Sequence, residues 1–489
     1  MKSRRWSRHV GGAVMLCLTG PAAAQWSSDP GANLVLSDRA GEQVQPKVAA
    51  TGDGGAYVSW FDNADGGYDV YLQRLSAGGV EQWAHNGILV ADRGFSSTQD
   101  YGLAVDAAGN ALLAYRDDGG PFEQISAAKV SPAGALLWGP AGVQLTTAPD
   151  FVAAPKIAGT SDGNVVVAWT QNADVVLQKL DPAGAPLWGA GVTISPSGNS
   201  LAASALHAAD SGRVIVSMVH SVGPSGPRHL WTQKLASADG APLWGATPLP
   251  VYDPAGGSLQ FGNFPDFVAD GDGGAVFSWY TASPTLQCRA QRIDSAGVEL
   301  FAHDGVETST DAARLRVSPA VSFAPPSQET FVFWVETNAA QSLFGIYGQK
   351  LDAVGGRQWT DAGRELVPLG ASQMSFVQNL ALGDGAMVAW IDSLAFGNDP
   401  IRGTRVDANG DFVWLPPVTD LATAESGSSR LAGALGSLGF GIFAWSDGAT
   451  GAADILAQNL NPDGTLGAAT IFGDGFESGD TSAWSATVP

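Results

Sequence analysis

Short apolar runs recur along the chain, each closed on both sides by turn-forming residues. The clearest begins with Gly52-Asp53-Gly54-Gly55 and continues Ala56-Tyr57-Val58-Ser59-Trp60. It returns as Asp162-Gly163-Asn164 before Val165-Val166-Val167-Ala168-Trp169. Asp272-Gly273-Gly274 leads into Ala275 to Trp279 in the same way, and Asp384-Gly385 into Ala386 to Trp390. Apolar runs of this length, alternating or continuous and bounded by Asp-Gly, predict hairpin strands. A strand with Pro46-Lys47-Val48-Ala49, or Pro155-Lys156-Ile157-Ala158, precedes the run. A second half follows it: Leu72-Gln73-Arg74-Leu75, a Gly-containing turn, then Trp83. The same half reads Leu177 to Leu180 with Trp188, and Gly348 to Leu351 with Trp359. Every unit thus predicts four short antiparallel strands.

Aligning the units gives one marker in each, at Trp60, Tyr115, Trp169, Met218, Trp279, Trp334, Trp390 and Trp445, roughly 50 to 60 residues apart. Four antiparallel strands per repeat of this length predict the blade of an all-β, eight-bladed β-propeller. A second, outer-strand aromatic appears in seven of the units: Trp83, Trp138, Trp188, Trp244, Phe301, Trp359 and Trp414. The eighth unit, Asn461 to Ala468, has none. Trp26, followed by Gly31 and Leu34-Val35-Leu36, matches Trp83 followed by Gly87 and Leu89-Val90. The N-terminal strand is therefore expected to complete the last blade and close the ring, removing unpaired edges. Each tryptophan is expected to fill the wedge between blades, with its indole N–H on a backbone carbonyl.

Composition agrees with β structure: 63 Gly and 28 Pro with only 15% charged residues. Residues 1–24 read as a signal peptide, with a basic start (Lys2, Arg4, Arg5, Arg8), a short apolar stretch and Pro21-Ala22-Ala23-Ala24 before Gln25. The apolar stretch is too short to span a bilayer. The division is then signal peptide 1–24, propeller 25–469 and C-terminal tail 470–489. Export places the protein outside the cell or at its surface, or in a periplasm. The net charge is −22 over the whole chain, and removing the first 24 residues leaves the remainder more acidic still. Such a surface repels phosphate and excludes a nucleic-acid partner. It suits simple solubility or Ca²⁺; no other cofactor is expected. Only Cys288 remains after the signal, so no intrachain disulfide forms, and its apolar strand predicts a buried, inert thiol. A monomer without a membrane span is expected.

The stretch Lys179-Leu180-Asp181-Pro182-Ala183-Gly184-Ala185-Pro186-Leu187-Trp188 resembles the Asp…Gly…Trp docking motif of quinoprotein-type (PQQ-like) propellers, with one residue fewer between Asp and Gly. The whole repeat, from about Trp26 to Ala469, is similar to the Asp-Gly-Gly…Trp and Gln-Arg-Leu…Gly…Trp repeats of secreted bacterial propeller proteins. Quinoprotein dehydrogenases use a vicinal disulfide and a Ca²⁺-bound cofactor; Cys288 alone cannot supply the former, so the resemblance implies a non-catalytic scaffold. The tail, Ile471 to Ser485 with Asp474-Gly475-Phe476-Glu477-Ser478-Gly479-Asp480 inside it, resembles a short C-terminal motif of exported gammaproteobacterial proteins and implies a sorting or attachment tag.

Catalytic motifs do not stand out. His85 and His303 occupy equivalent places and are expected to serve the same turn. His207, His220 and His229 share the fourth repeat without metal-ligand spacing. Loops between second and third strands carry acids: Asp62 and Asp65; Asp117, Asp118 and Glu123; Asp174; Glu336; Asp392 and Asp399; Asp447 and Asp454. A ring of such carboxylates at a channel mouth could hold Ca²⁺ or work as acid and base on a sugar, although aspartate also simply suits turns. The fourth-repeat segment Ser221 to His229 reads as the longest such loop and the one basic one. The expected ligand contacts are Asp62, Asp65, Asp117, Asp118, Arg228, His229, Asp392 and Asp447. The function expected is a secreted, non-catalytic binding or surface-interaction scaffold for a glycan or protein. The alternative is an extracellular polysaccharide-active hydrolase or lyase, which requires two inward carboxylates about 5–9 Å apart in a deep, aromatic-walled pocket.

Overall fold

The computed structural model describes residues 25–94, 100–196, 198–424 and 426–468. The expected signal peptide and tail motif lie outside the described residues. The chain forms eight antiparallel blades arranged in a ring. Blade one is Gln43–Ala50, Ala56–Asp62, Asp69–Leu75 and Ile88–Ala91, paired in that order. Six further blades repeat the sequence-ordered meander, and their first strands touch one another around the channel. The second strands are almost wholly buried, because each is covered on both faces by neighbouring blades. That is why Ala56–Asp62 and Val165–Gln171 read as nearly continuous apolar runs. First strands are only half covered, as in Gln43–Ala50, because one side faces the channel.

Blade eight is Ser428–Leu435, Gly441–Asp447 and Asp454–Leu460, and its fourth strand is Leu34–Ser37 from the chain's beginning. Leu34 pairs with Ala457 and Val35 with Leu456. The expected N-terminal closure is thus present, and Leu34, Leu36 and Trp26 join Trp60 and Ile442 in one core.

All eight second-strand markers are buried. The outer aromatics dock each blade on the next by one repeated hydrogen bond. The indole N–H of Trp26 donates to the carbonyl of Ala77, Trp83 to Pro132, Trp138 to Pro182 and Trp188 to Ser237. Trp244 donates to Ser295, Trp359 to Ala408 and Trp414 to Pro462, all at 2.8–3.2 Å. Phe301 fills the eighth place without a donor. A glycine at positive φ lies against each ring, such as Gly79 on Trp26 and Gly464 on Trp414; an added Cβ would stand 2.6 and 2.8 Å from the indole atoms. The recurring glutamine of the third strand holds this corner from behind. Gln178 Oε1 accepts the Trp188 backbone N–H (3.0 Å), and its Nε2 donates to Gly189. Gln458 makes the equivalent bond to Ser27 of the N-terminal segment, so the closing strand is held as any other fourth strand is. The inner tryptophans depart from the expected indole-to-carbonyl bond. Trp169 and Trp334 donate to side chains two residues on, Gln171 and Glu336, and the buried indole nitrogens of Trp60, Trp279, Trp390 and Trp445 have no hydrogen-bond partner.

Blade five also departs from the pattern. Its first strand is split into Ser258–Leu259 and Phe267–Ala269, with residues 260–266 between them. The fourth-repeat segment is shorter as a loop than expected. The hairpin of Val214–Ser221 and Arg228–Leu235 stays paired out to Ser221 and Arg228, so Arg228 and His229 are strand residues. Cys288 is fully buried, and burial pushes its thiol well above the ordinary value, which makes it inert.

Candidate functional site: the central channel

The channel wall is built from first strands, and most of these carry a bulge. Register slips between Val44 and Lys47, Ala153 and Lys156, Val317 and Ala320, Ser375 and Gln378, and Ser429 and Ala432. At each slip one non-glycine residue takes a left-handed conformation: Gln45, Ala154, Ser318, Phe376 and Arg430, with φ from 49° to 56°. A bulge re-aims the side chains around it. Here it brings Lys47, Lys156 and the Phe376 ring to channel cavities.

The insertion of blade five stands in this channel. Phe264 and Asp266 line two concavities at once. One, of about 200 Å³, is bounded by blades one to five; the other, of about 700 Å³, is bounded by blades five to eight. The smaller one is polar. Asp100 is bridged by two lysines, Lys47 Nζ at 2.8 Å and Lys156, and the Lys47 ammonium also lies 5.2 Å from the Tyr101 ring centre. Desolvation raises the Asp100 carboxyl, but the two ammonium groups more than reverse it and hold it well below the usual carboxylate range. Asp266 is exposed to the channel and accepts from His207 Nε2 at 3.0 Å and from the Phe267 backbone N–H at 2.8 Å; these outweigh the desolvation by surrounding protein and lower its carboxyl too. Tyr101 is buried, its hydroxyl bonded to Ser59 (2.8 Å) and the Gln45 carbonyl (3.1 Å). Desolvation drives its ionisation far up, so it offers neither a base nor a ready proton.

The larger concavity is walled by aromatic rings. Phe261, Phe264 and Phe376 are 74%, 49% and 36% exposed. Gln378 and Asn379 lie between them with their amides already bonded to backbone carbonyls of neighbouring blades.

None of the eight residues expected to touch a ligand lines either concavity. Asp62 is buried, accepts the Ala64 N–H (2.9 Å) and faces Arg39, which also pairs with Asp65. Asp117 accepts from Gly119 N–H (2.8 Å) and the Ser126 hydroxyl (2.9 Å); Asp118 accepts from Gly94 N–H (2.9 Å). Asp447 takes the hydroxyls of Ser426 and Ser428. Asp392 pairs with Arg402 in a separate crevice of about 320 Å³ beside Leu366 and Val418. Arg228 comes nearest to the channel, with its guanidinium 4.5 Å over the Phe261 ring. His229 is buried against His220, ring centres 6.0 Å apart. Sequence reasoning missed Lys47, Asp100, Lys156, His207, Phe264, Asp266 and Phe376. The interval from Met218 to Trp279 is the longest between markers, and that extra length is the signal of the insertion.

Among the described residues one trio, Asp253, His303 and Asp304, brings metal-ligating atoms within 4.8 Å of one another. It lies at the outer strands of blades four and five. No helix among the described residues is long and apolar enough to cross a membrane.

No protein-family model matches the chain, and neither does any curated protein. Solved propellers resemble it in shape. An ulvan lyase of polysaccharide lyase family PL25 shares 12% identity at a TM-score of 0.47, covering 77% of this chain and 96% of that one. The Dos1 propeller shares 13% at 0.46, covering 88% and 95%. Prolyl oligopeptidase B from Galerina marginata shares 11% at 0.45, covering 84% of this chain and 56% of its own length. Likeness at this level carries neither activity nor ligand over to this chain.

Proposed function

We propose that this propeller is an exported, non-catalytic binding scaffold that takes an extracellular ligand at its central channel. The observation that carries this reading is the wall of the larger concavity. Exposed phenylalanine rings flank polar groups that are already bonded, which suits a ligand with flat apolar faces and hydroxyl edges, such as a sugar chain. The second reading, a polysaccharide hydrolase or lyase, draws on Asp100 and Asp266, which share the smaller concavity. It is the weaker reading because Asp100 is held by two lysine ammonium groups and Asp266 is hydrogen-bonded to His207, so neither carboxylate stands free as an acid or a base.

A thermal-shift screen of the mature protein against neutral and anionic oligosaccharides tests it. A ligand that binds only the folded state raises the melting temperature. The shift should vanish in the Phe264→Ala, Phe376→Ala double variant, whose exposed rings contribute little to the fold. Mass spectrometry of the recovered oligosaccharide should show an unchanged chain. A shortened or unsaturated product would establish the second reading instead. No shift with either glycan class would remove the sugar reading.

A further inference from the structure

One chemical arrangement occurs twice at the rim of the ring. Blade five carries Glu299, Phe301, His303, Asp304 and Gly305; blade one carries Glu81, Trp83, His85, Asn86 and Gly87 in the same places. In both, the histidine Nδ1 meets the glutamate four residues earlier, at 3.0 Å for His303 and 3.2 Å for His85. In both, Nε2 meets an aspartate just past the fourth strand of the preceding blade. His303 reaches Asp253 at 3.3 Å, and His85 reaches Asp38 at 3.2 Å. The next residue sits at positive φ and accepts that aspartate's backbone N–H: Asp304 from Asp253 at 2.8 Å, Asn86 from Asp38 at 2.9 Å. The expectation that the two histidines serve the same turn holds, and the turn is a staple between blades.

The copies differ in one group. Where blade one has the neutral Asn86, blade five has the Asp304 carboxylate, 4.0 Å from His303 Nε2. Three donor atoms then converge within 4.8 Å. Metal–ligand distances of about 2.0–2.2 Å in a tetrahedral shell place neighbouring donors about 3.3–3.6 Å apart, so the observed 3.3 and 4.0 Å need only a slight side-chain turn. Glu299 on Nδ1 leaves Nε2 as the coordinating nitrogen, the outer-shell arrangement usual for metal-bound histidine. Arg289, the nearby guanidinium, is occupied by Glu307 (2.8 Å) and by the Asp304 backbone carbonyl, so it does not neutralise the two aspartates directly.

A second, independent feature stands beside the trio. His229 is more than nine-tenths buried, and its Nε2 has no hydrogen-bond partner. It precedes Leu230, which pairs with Tyr252, the residue before Asp253. A buried imidazole nitrogen left unpaired is costly unless something fills the site.

We propose that Asp253, His303 and Asp304, oriented by Glu299, bind one divalent first-row cation of the zinc type at the seam of blades four and five. A nitrogen donor and three protein ligands suit zinc and its neighbours over Ca²⁺, which takes six to eight oxygens. Three ligands also leave a coordination position open to water.

The test uses mature protein stripped with chelator and titrated with zinc chloride, read by calorimetry and by metal analysis after gel filtration. One zinc per chain is expected. Asp304→Asn installs the blade-one residue and keeps an acceptor for the Asp253 N–H, so the metal-free variant should melt like the metal-free parent while losing the zinc. Glu299→Gln should weaken binding about 10- to 100-fold. A parent that binds no zinc, or an Asp304→Asn variant that still binds one with the parent's affinity, overturns the proposal.

Discussion

Removing the Trp26 indole should weaken the whole ring, because this side chain closes it. Trp26 is 2% exposed, its N–H donates to Ala77 at 2.9 Å, and Gly79 lies against its ring. Its backbone N–H also bonds to Gly78 at 3.0 Å and would survive substitution. Trp26→Ala deletes the buried ring, at a cost of about 3–5 kcal/mol. Trp26→Phe keeps most of the packing and loses one hydrogen bond while leaving the Ala77 carbonyl unpaired, at a cost of about 1–3 kcal/mol. Phe301→Ala is the internal comparison, since it removes an equivalent ring that never had the N–H. Urea unfolding followed by far-UV circular dichroism measures all three, with stability taken from the linear extrapolation. Trp26→Ala should lower the midpoint of the single transition that unfolds every blade. A variant that unfolds like the parent, or one that loses only a small early phase while the remaining blades keep their midpoint, would refute the closure argument.

Gly464→Ala forces a Cβ at positive φ to within 2.8 Å of Trp414, so it should cost about 1–3 kcal/mol in the same assay. Asp100 has a folded-state pKa below its unfolded value of about 3.9. Its ion pairs therefore add stability that is fully present above that pH and is lost as pH falls through the lower folded value. Asp100→Asn should accordingly narrow the stability gap between pH 6 and acid, and an unchanged acid-unfolding profile would contradict the assignment. Cys288 should resist a thiol-reactive dye in the native protein and react fully after denaturation.

The blades were legible because their docking is local and repeated. The glycine that must lie on the preceding indole, the glutamine that braces it and the tryptophan itself recur at fixed spacing, and each is dictated by one geometry. Even the missing eighth outer aromatic pointed to Trp26. The channel was not legible, for the opposite reason. Its bulges place Gln45, Ala154, Ser318, Phe376 and Arg430 in one backbone state, and no residue type is common to that position. First strands are half exposed, so their apolar pattern is weak. The loop acids lie away from the channel concavities, and Asp62, Asp117 and Asp447 satisfy neighbouring backbone and hydroxyl groups. That is the ordinary work of aspartate at a turn. The length of the fourth-repeat loop was overestimated because Ser221 to Arg228 contains turn residues that do not reveal how far the flanking strands stay paired.

Hydrogen–deuterium exchange, run with and without an oligosaccharide that raises the melting temperature, tests the account's central claim most directly. Protection should concentrate in residues 260–266 and in Gln373–Leu382, the two segments that carry Phe261, Phe264 and Phe376 to the channel. Protection confined to the loops of Asp62, Asp117, Asp392 and Asp447, with the channel segments unchanged, would contradict it.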